Sequence, residues 1–216
     1  MRRLAALAVL LSLAAAGAAL AVQGDPQKRI TPADQARAKA MLLRMGDFGP
    51  TFRAVQLPPI GSNSFDLACP AIDQSDLVVT GEARSPAFAG AFESYNSATQ
   101  VYATAAAART SWNRATSRAG LRCAVRVVRT LSRRQGLEYV SYRRIAFPAV
   151  APRTAAYRWV SAANGVRIYA DLVFLMRSRV HVVVYFVSPV SPIDREQQLA
   201  LSRTLSGRMA KAMRGT

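Results

Sequence analysis

The sequence predicts an α+β fold: a curved antiparallel sheet with helices packed on it, in the order α-β-β-α-β-β-β-β-α. Three observations carry this. Residues 153–187 hold three strand-like runs, and Asn164-Gly165 between the first two is a strong two-residue hairpin turn. The run 180–187 is apolar on both alternating faces, which places it inside the sheet with cover on both sides. Helical spacing near residues 31–46, 104–133 and 191–213 supplies the covering layers.

Each element has its own signal. Thr31-Pro32-Ala33-Asp34 is a helix start, with a capping hydroxyl, a proline in the first turn and an acid three residues after the cap. That helix carries Ala38, Leu42 and Met45 at i, i+4 and i+7 and is expected to stop at Gly46. Residues 47–76 are loop-rich and contain Cys69-Pro70. Residues 77–82 read as a short strand and 88–102 as a longer one. Thr104 caps the second helix, with Trp112, Ala115, Ala119 and Cys123 on one side. Gly120 interrupts it, leaving either one helix or two that meet near Cys123. Residues 137–147 form a strand ending at Pro148. The meander 153–163, 166–176 and 180–187 follows, its second turn placed at Arg177-Ser178. The Asn164-Gly165 register sets Arg158 opposite Asp171 and predicts an ion pair. Ser191-Pro192 starts the last helix, with Leu199, Leu205, Met209 and Met213 as its buried stripe. No internal repeat or low-complexity tract is present.

The first residues bound the compartment. Met1-Arg2-Arg3 precedes an apolar stretch over residues 4–22, and Ala19-Leu20-Ala21 suits a signal peptidase. Cleavage is expected after Ala21, giving residues 1–21 as signal, 22–30 as a flexible segment and 31–213 as one domain. The alternative is a retained anchor, since the stretch is just long enough to span a bilayer. Cleavage would leave 27 basic residues against 12 acids, a net charge of +15. Cys69 and Cys123 are an even pair in an exported chain, so a disulfide is the default, with two free thiols as the alternative.

A series of segments carries a family likeness. A helix leads to Leu43-Arg44-Met45-Gly46-Asp47-Phe48, and the Cys69-Pro70 loop leads to Leu77-Val78-Val79-Thr80-Gly81. Then come Tyr95-Asn96-Ser97-Ala98-Thr99-Gln100-Val101-Tyr102, the run from Ala105 to Ala108, Trp112 and Cys123. This order resembles small secreted or lipid-anchored envelope proteins of actinobacteria. It is similar, more distantly, to the extracellular sensor domain of PknH-type kinases and, more broadly, to PsbP/Mog1-like sandwiches. The resemblance implies an exported, sensor-like module. That sensor domain is described with two disulfides and this chain can form one, so no binding residue is carried over.

The catalytic inventory is thin. His181 is the only histidine. With the turn at Arg177-Ser178 it pairs with Phe174, which leaves Asp171 on the opposite face and separates the only evident His/Asp combination. Asp73 and Asp76 lie beside the Cys-Pro loop and are read as solvated or capping acids. Glu93, read within a strand, needs a basic partner. No catalytic residue, metal site or cofactor is expected, and a hydrolase is the least favoured reading.

Binding is the favoured one. Arg114, Arg118, Arg122, Arg126, Arg129 and Arg133 recur every three or four residues and form a stripe about 120° wide on a continuous helix. Guanidinium groups in a row attract phosphate and carboxylate anions. The basic residues are 26 Arg and three Lys, a bias that composition alone could also produce. Tyr139, Tyr142, Tyr157, Trp159 and Tyr169 are candidates for an aromatic pocket, with core packing as the alternative. The expected function is a non-catalytic, secreted or envelope-bound module that takes an anionic envelope polymer, lipid headgroups or an amphiphile. A scaffold that binds another secreted protein is the alternative. Export disfavours nucleic acid.

Overall fold

Nine strands make one mixed, open sheet in the computed structural model, which describes residues 25–57 and 69–214. They are β1 (Gln27–Lys28), β2 (Arg53–Val55), β3 (Val78–Arg84), β4 (Ala87–Ala89), β5 (Ser94–Tyr102), β6 (Glu138–Ile145), β7 (Arg153–Ala163), β8 (Val166–Arg177) and β9 (Val180–Pro189). Four α-helices join them: α1 (Pro32–Ala40), α2 (Ala105–Thr116), α3 (Arg118–Arg134) and α4 (Arg195–Ala212). The strand order is β1-β3-β5-β9-β8-β7-β6, and β4 pairs with both β5 and β2. All pairings are antiparallel except β1 with β3. The signal expected at residues 1–21 lies outside the described residues. Within the segment expected to be flexible, Gln27 and Lys28 are instead paired with Val78 and Val79.

The sheet is covered on both faces. Trp112, Val127, Val128 and Leu131 of α2 and α3 pack with Tyr142, Tyr157, Trp159, Leu172 and Tyr185 on one face. Ala38 of α1 and Leu201, Leu205 and Met209 of α4 pack with Tyr95, Val173, Val182, Val184 and Phe186 on the other. Strand β9 contributes to both clusters, as its two apolar faces require. Asn164 and Gly165 take positive φ values of 51° and 77°, the primed-turn geometry that matches strand twist. Arg158 pairs with Asp171 in the expected register. Cys69 and Cys123 are bonded, with their Cα atoms 6.1 Å apart, and staple the loop before β3 to α3.

Where elements differ from expectation, a contact distant in sequence explains it. Helix α1 ends at Ala40, not Gly46. Ser97 takes the Leu43 N–H at 2.9 Å and Arg208 takes the Leu42 carbonyl at 2.7 Å, so the chain bends away. Met41 and Leu43 then enter the core, whereas Met45 of the expected stripe is exposed. The long strand 88–102 is a hairpin, β4 and β5, closed by Gly90 N–H donating to Glu93 O at 2.9 Å. That puts Glu93 in a turn. The turn after β8 is Ser178-Arg179, one residue later than expected, because Arg179 is bonded to Asp34 of α1 through two contacts of 2.7 Å. His181 therefore pairs with Met176, not Phe174. The last helix starts at Arg195 under an Asp194 cap, three residues after Pro192.

Candidate ligand-binding surface

The arginine row is built on α3, and Ser117 decides where it starts. Ser117 is extended (φ −66°, ψ 161°), ends α2 and caps α3 by accepting from Gly120 N–H at 2.9 Å. A Cβ on Gly120 would collide with the Arg114 carbonyl oxygen, so glycine permits the tight crossing of the two helices. Arg114 is thus on α2 and leaves the row. It binds Asp76 through two nitrogens, at 2.5 and 2.9 Å, and the Asp73 carbonyl at 2.6 Å. Asp73 in turn accepts from Ser75 N–H at 2.9 Å, a turn role.

The remaining five, Arg118, Arg122, Arg126, Arg129 and Arg133, are all exposed on α3. At 100° per residue they fall within an arc of about 80°, over a length of about 22 Å. None makes an ion pair with a carboxylate among the described residues. Arg129 lies over the Tyr139 ring at 5.0 Å, and Arg133 reaches Thr130 at 3.5 Å. The first turn of α3 contains no acid, so Arg118 adds its charge to the positive end of the helix dipole. Like charges one turn apart repel by a few tenths of a kcal/mol per pair. A bound anion would relieve that repulsion.

The aromatic candidates divide. Tyr142, Tyr157 and Trp159 are buried under α2 and α3 in the larger core cluster. Tyr142 and Tyr157 stack at 5.7 Å, and Phe174 meets Tyr157 edge-on at 5.7 Å. Tyr139 is half-buried beside Arg129. Tyr169 is on the opposite face, 5.9 Å from the Arg158 guanidinium. So the five do not converge on one pocket.

His181 and Asp171 also lie on opposite faces. The His181 ring donates from Nε2 to the Ala108 carbonyl of α2 at 2.9 Å, and it sits 4.9 Å from Tyr102. Burial pushes its pKa down to about 4, so it is neutral at pH 7. Asp171 is 1% exposed and holds Arg158 by two bonds of 2.6 and 2.7 Å, with Gln198 of α4 donating at 2.8 Å. Both groups are structural. No cluster of three His, Cys, Asp or Glu residues that could hold a metal is found among the described residues. None of their helices is long and apolar enough to cross a membrane.

Two sets of residues escaped the sequence reading. Asp34 is held by Arg179, Thr80 and Arg37, and Asp47 by Arg208. Apart from Arg37, three residues from Asp34 on the same helix, those partners are too far apart in sequence to be paired by pattern. Phe92, Val166 and Val190 are exposed apolar side chains on turns at one end of the sheet. Gly90 and Pro189 are the available turn signals near Phe92 and Val190, but 88–102 reads as one strand from its alternation, and nothing in the sequence says that these side chains face solvent.

No family model and no curated protein matches the chain. Among solved structures it is similar to the extracellular domain of PknH from Mycobacterium tuberculosis, at a TM-score of 0.44 and 13% identity, over 84% of this chain and 98% of that one. It is also similar to an uncharacterized protein, the Rv0999 ortholog, from Mycobacterium smegmatis, at a TM-score of 0.40 and 14% identity, over 83% and 97%. The first is the kind of domain that the sequence resembles. Likeness at this level assigns neither family nor function.

Proposed function

We propose that this protein is an exported, non-catalytic module that binds an anionic component of the cell envelope through the arginine face of α3. One observation carries the reading. Arg37, Arg114, Arg158, Arg179 and Arg208 each pair with a carboxylate, whereas Arg118, Arg122, Arg126, Arg129 and Arg133 of α3 form no such pair among the described residues. Other exposed arginines also lack an acid partner in the fold, but these five are gathered in one arc of about 80° on a single helix, and such a row presents concentrated positive charge to an outside anion. The separation of His181 from Asp171 supports a non-catalytic role.

The test uses R118Q, R122Q and R126Q together, since all three side chains are exposed and their loss leaves the core intact. Co-sedimentation with phosphatidylglycerol vesicles, and with anionic wall polymer, should weaken about 100-fold at low salt, from about 1 kcal/mol per arginine near an anionic surface. Wild-type binding should fall as salt rises. Unchanged binding by the triple variant would sink the reading.

A second reading, an accessory protein that binds another secreted protein, is favoured by the open outer edge of β6, where Val140 is exposed. Salt-insensitive co-purification with one protein would support it instead.

A further inference from the structure

Phe92, Val166 and Val190 share one end of the sheet. Phe92 lies in the turn between β4 and β5, two residues before Ser94, which pairs with Val187 of β9. Val166 begins β8 beside the Asn164-Gly165 turn. Val190 follows β9, and its N–H donates to Arg167 O at 2.8 Å. The strands β5, β9 and β8 are neighbours, so the three side chains lie along one rim. Their exposures are 67%, 45% and 73%.

The backbone at Val190 is strained to hold that side chain out. Its φ is 72°, in the left-handed region, and Ser191 N–H bonds back to Pro189 O at 2.8 Å. That is the rarer, strained form of the γ-turn, and a β-branched residue at its centre is a steric outlier. Glycine or asparagine would sit there with less strain, yet the position carries a bulky apolar group that touches water. Arginines stand beside the rim on several elements. Arg53, Arg167, Arg133 and Arg134 are exposed at this end, against Glu138 and the half-buried Glu93, and the start of α4 that follows Val190 adds Arg195 with the exposed acids Asp194 and Glu196. Apolar side chains on turn tips, with arginines beside them, suit a surface that is negative outside and apolar beneath.

We propose that this rim docks on an anionic lipid bilayer, with Phe92 and Val190 entering the acyl boundary and Val166 beside them. The docking goes beyond the arginine-face reading: its apolar residues are separate from that face, and only Arg133 is common to both.

Single F92W and V190W variants, with V140W on the β6 edge as control, test the depth of insertion. Native Trp112 and Trp159 are buried and give a constant background. On phosphatidylglycerol vesicles the two rim tryptophans should shift to the blue and be quenched by brominated acyl chains, while V140W should not. The F92S/V190N double variant should lose roughly tenfold or more in vesicle partition. V190N alone should keep or raise the melting temperature, because asparagine tolerates the left-handed backbone; a purely structural valine would lower it. Co-sedimentation without quenching at Phe92 or Val190 would overturn the rim and leave the arginine face standing. A blue shift that grows with protein concentration, without vesicles, would make the rim a self-association face and also overturn the bilayer assignment.

Discussion

At the residue scale, two titratable groups divide the acid side of the stability profile between them. Unfolded His181 takes a proton near its ordinary pKa of 6.5, whereas the folded ring, buried under α2, resists until about 4. Its contribution to stability is present above pH 6.5, declines as pH falls from 6.5 toward 4, and is gone below that. Thermal melts from pH 7 to 4 should show this slope in the wild type and lack it in H181Q. Asp34 acts lower. The Arg179 bonds above all, with those from Thr80 and Arg37, hold its carboxyl well below the usual carboxylate range. That contribution is intact above the unfolded carboxylate pKa of 3.8 and is lost as pH drops through the folded value. A third residue-scale test is R158M. It would leave Asp171 buried with Gln198 as its remaining donor, and should destabilise the fold by about 3–5 kcal/mol in urea melts.

At the scale of elements, the corner between α2 and α3 is a sensitive joint. G120A would push a methyl group into the Arg114 carbonyl and should cost about 1–3 kcal/mol, with α3 displaced from β6. A matching melt, or full anion binding with the corner opened, would show that the joint does not set the arginine face. The elements that were legible in sequence are those with local signals. The meander β7–β8–β9 follows from period-two alternation and Asn164-Gly165, and the Arg158–Asp171 pair follows from that register. The starts of α1 and α2 follow from Thr31 and Thr104, whose hydroxyls accept from Asp34 and Ala107 N–H. What was hidden depends on distant partners. The end of α1 is set by Ser97, 54 residues on, and by Arg208, 166 residues on. The arginine spacing was visible, but the withdrawal of Arg114 required Asp76, 38 residues away. The split of 88–102 into a hairpin was ambiguous, because alternation runs through both arms.

At the scale of the whole molecule, the Cys69–Cys123 bridge ties the loop before β3 to the helix that carries the arginine face. It closes a loop 54 residues apart in sequence, for which chain entropy gives about 4 kcal/mol. The C69S/C123S variant should lose most of that in denaturant melts, and wild type melted under reductant should match it. The three-layer arrangement, helices on both faces of one sheet, follows from the doubly apolar β9 and was legible in that strand alone. The exposed rim was not legible, since burial of Phe92, Val166 and Val190 depends on how turns settle after the sheet has formed. The expected cleavage after Ala21 is checked by mass spectrometry of the N-terminus; a chain that still begins at Met1 would overturn it.

The one parallel pairing gives the molecule a direction. Strand β1 meets β3 at Val78 and Val79, level with Tyr102 at the far end of β5, whereas Phe92 and Val190 lie beyond its near end. Strand β8, twelve residues long, separates the two ends by about 40 Å. A molecule resting on a bilayer by its rim therefore lifts its N-terminal strand clear of the surface, like a post standing on its foot. A tag fused ahead of Asp25 should face outward and stay open to antibody or protease while the protein is bound.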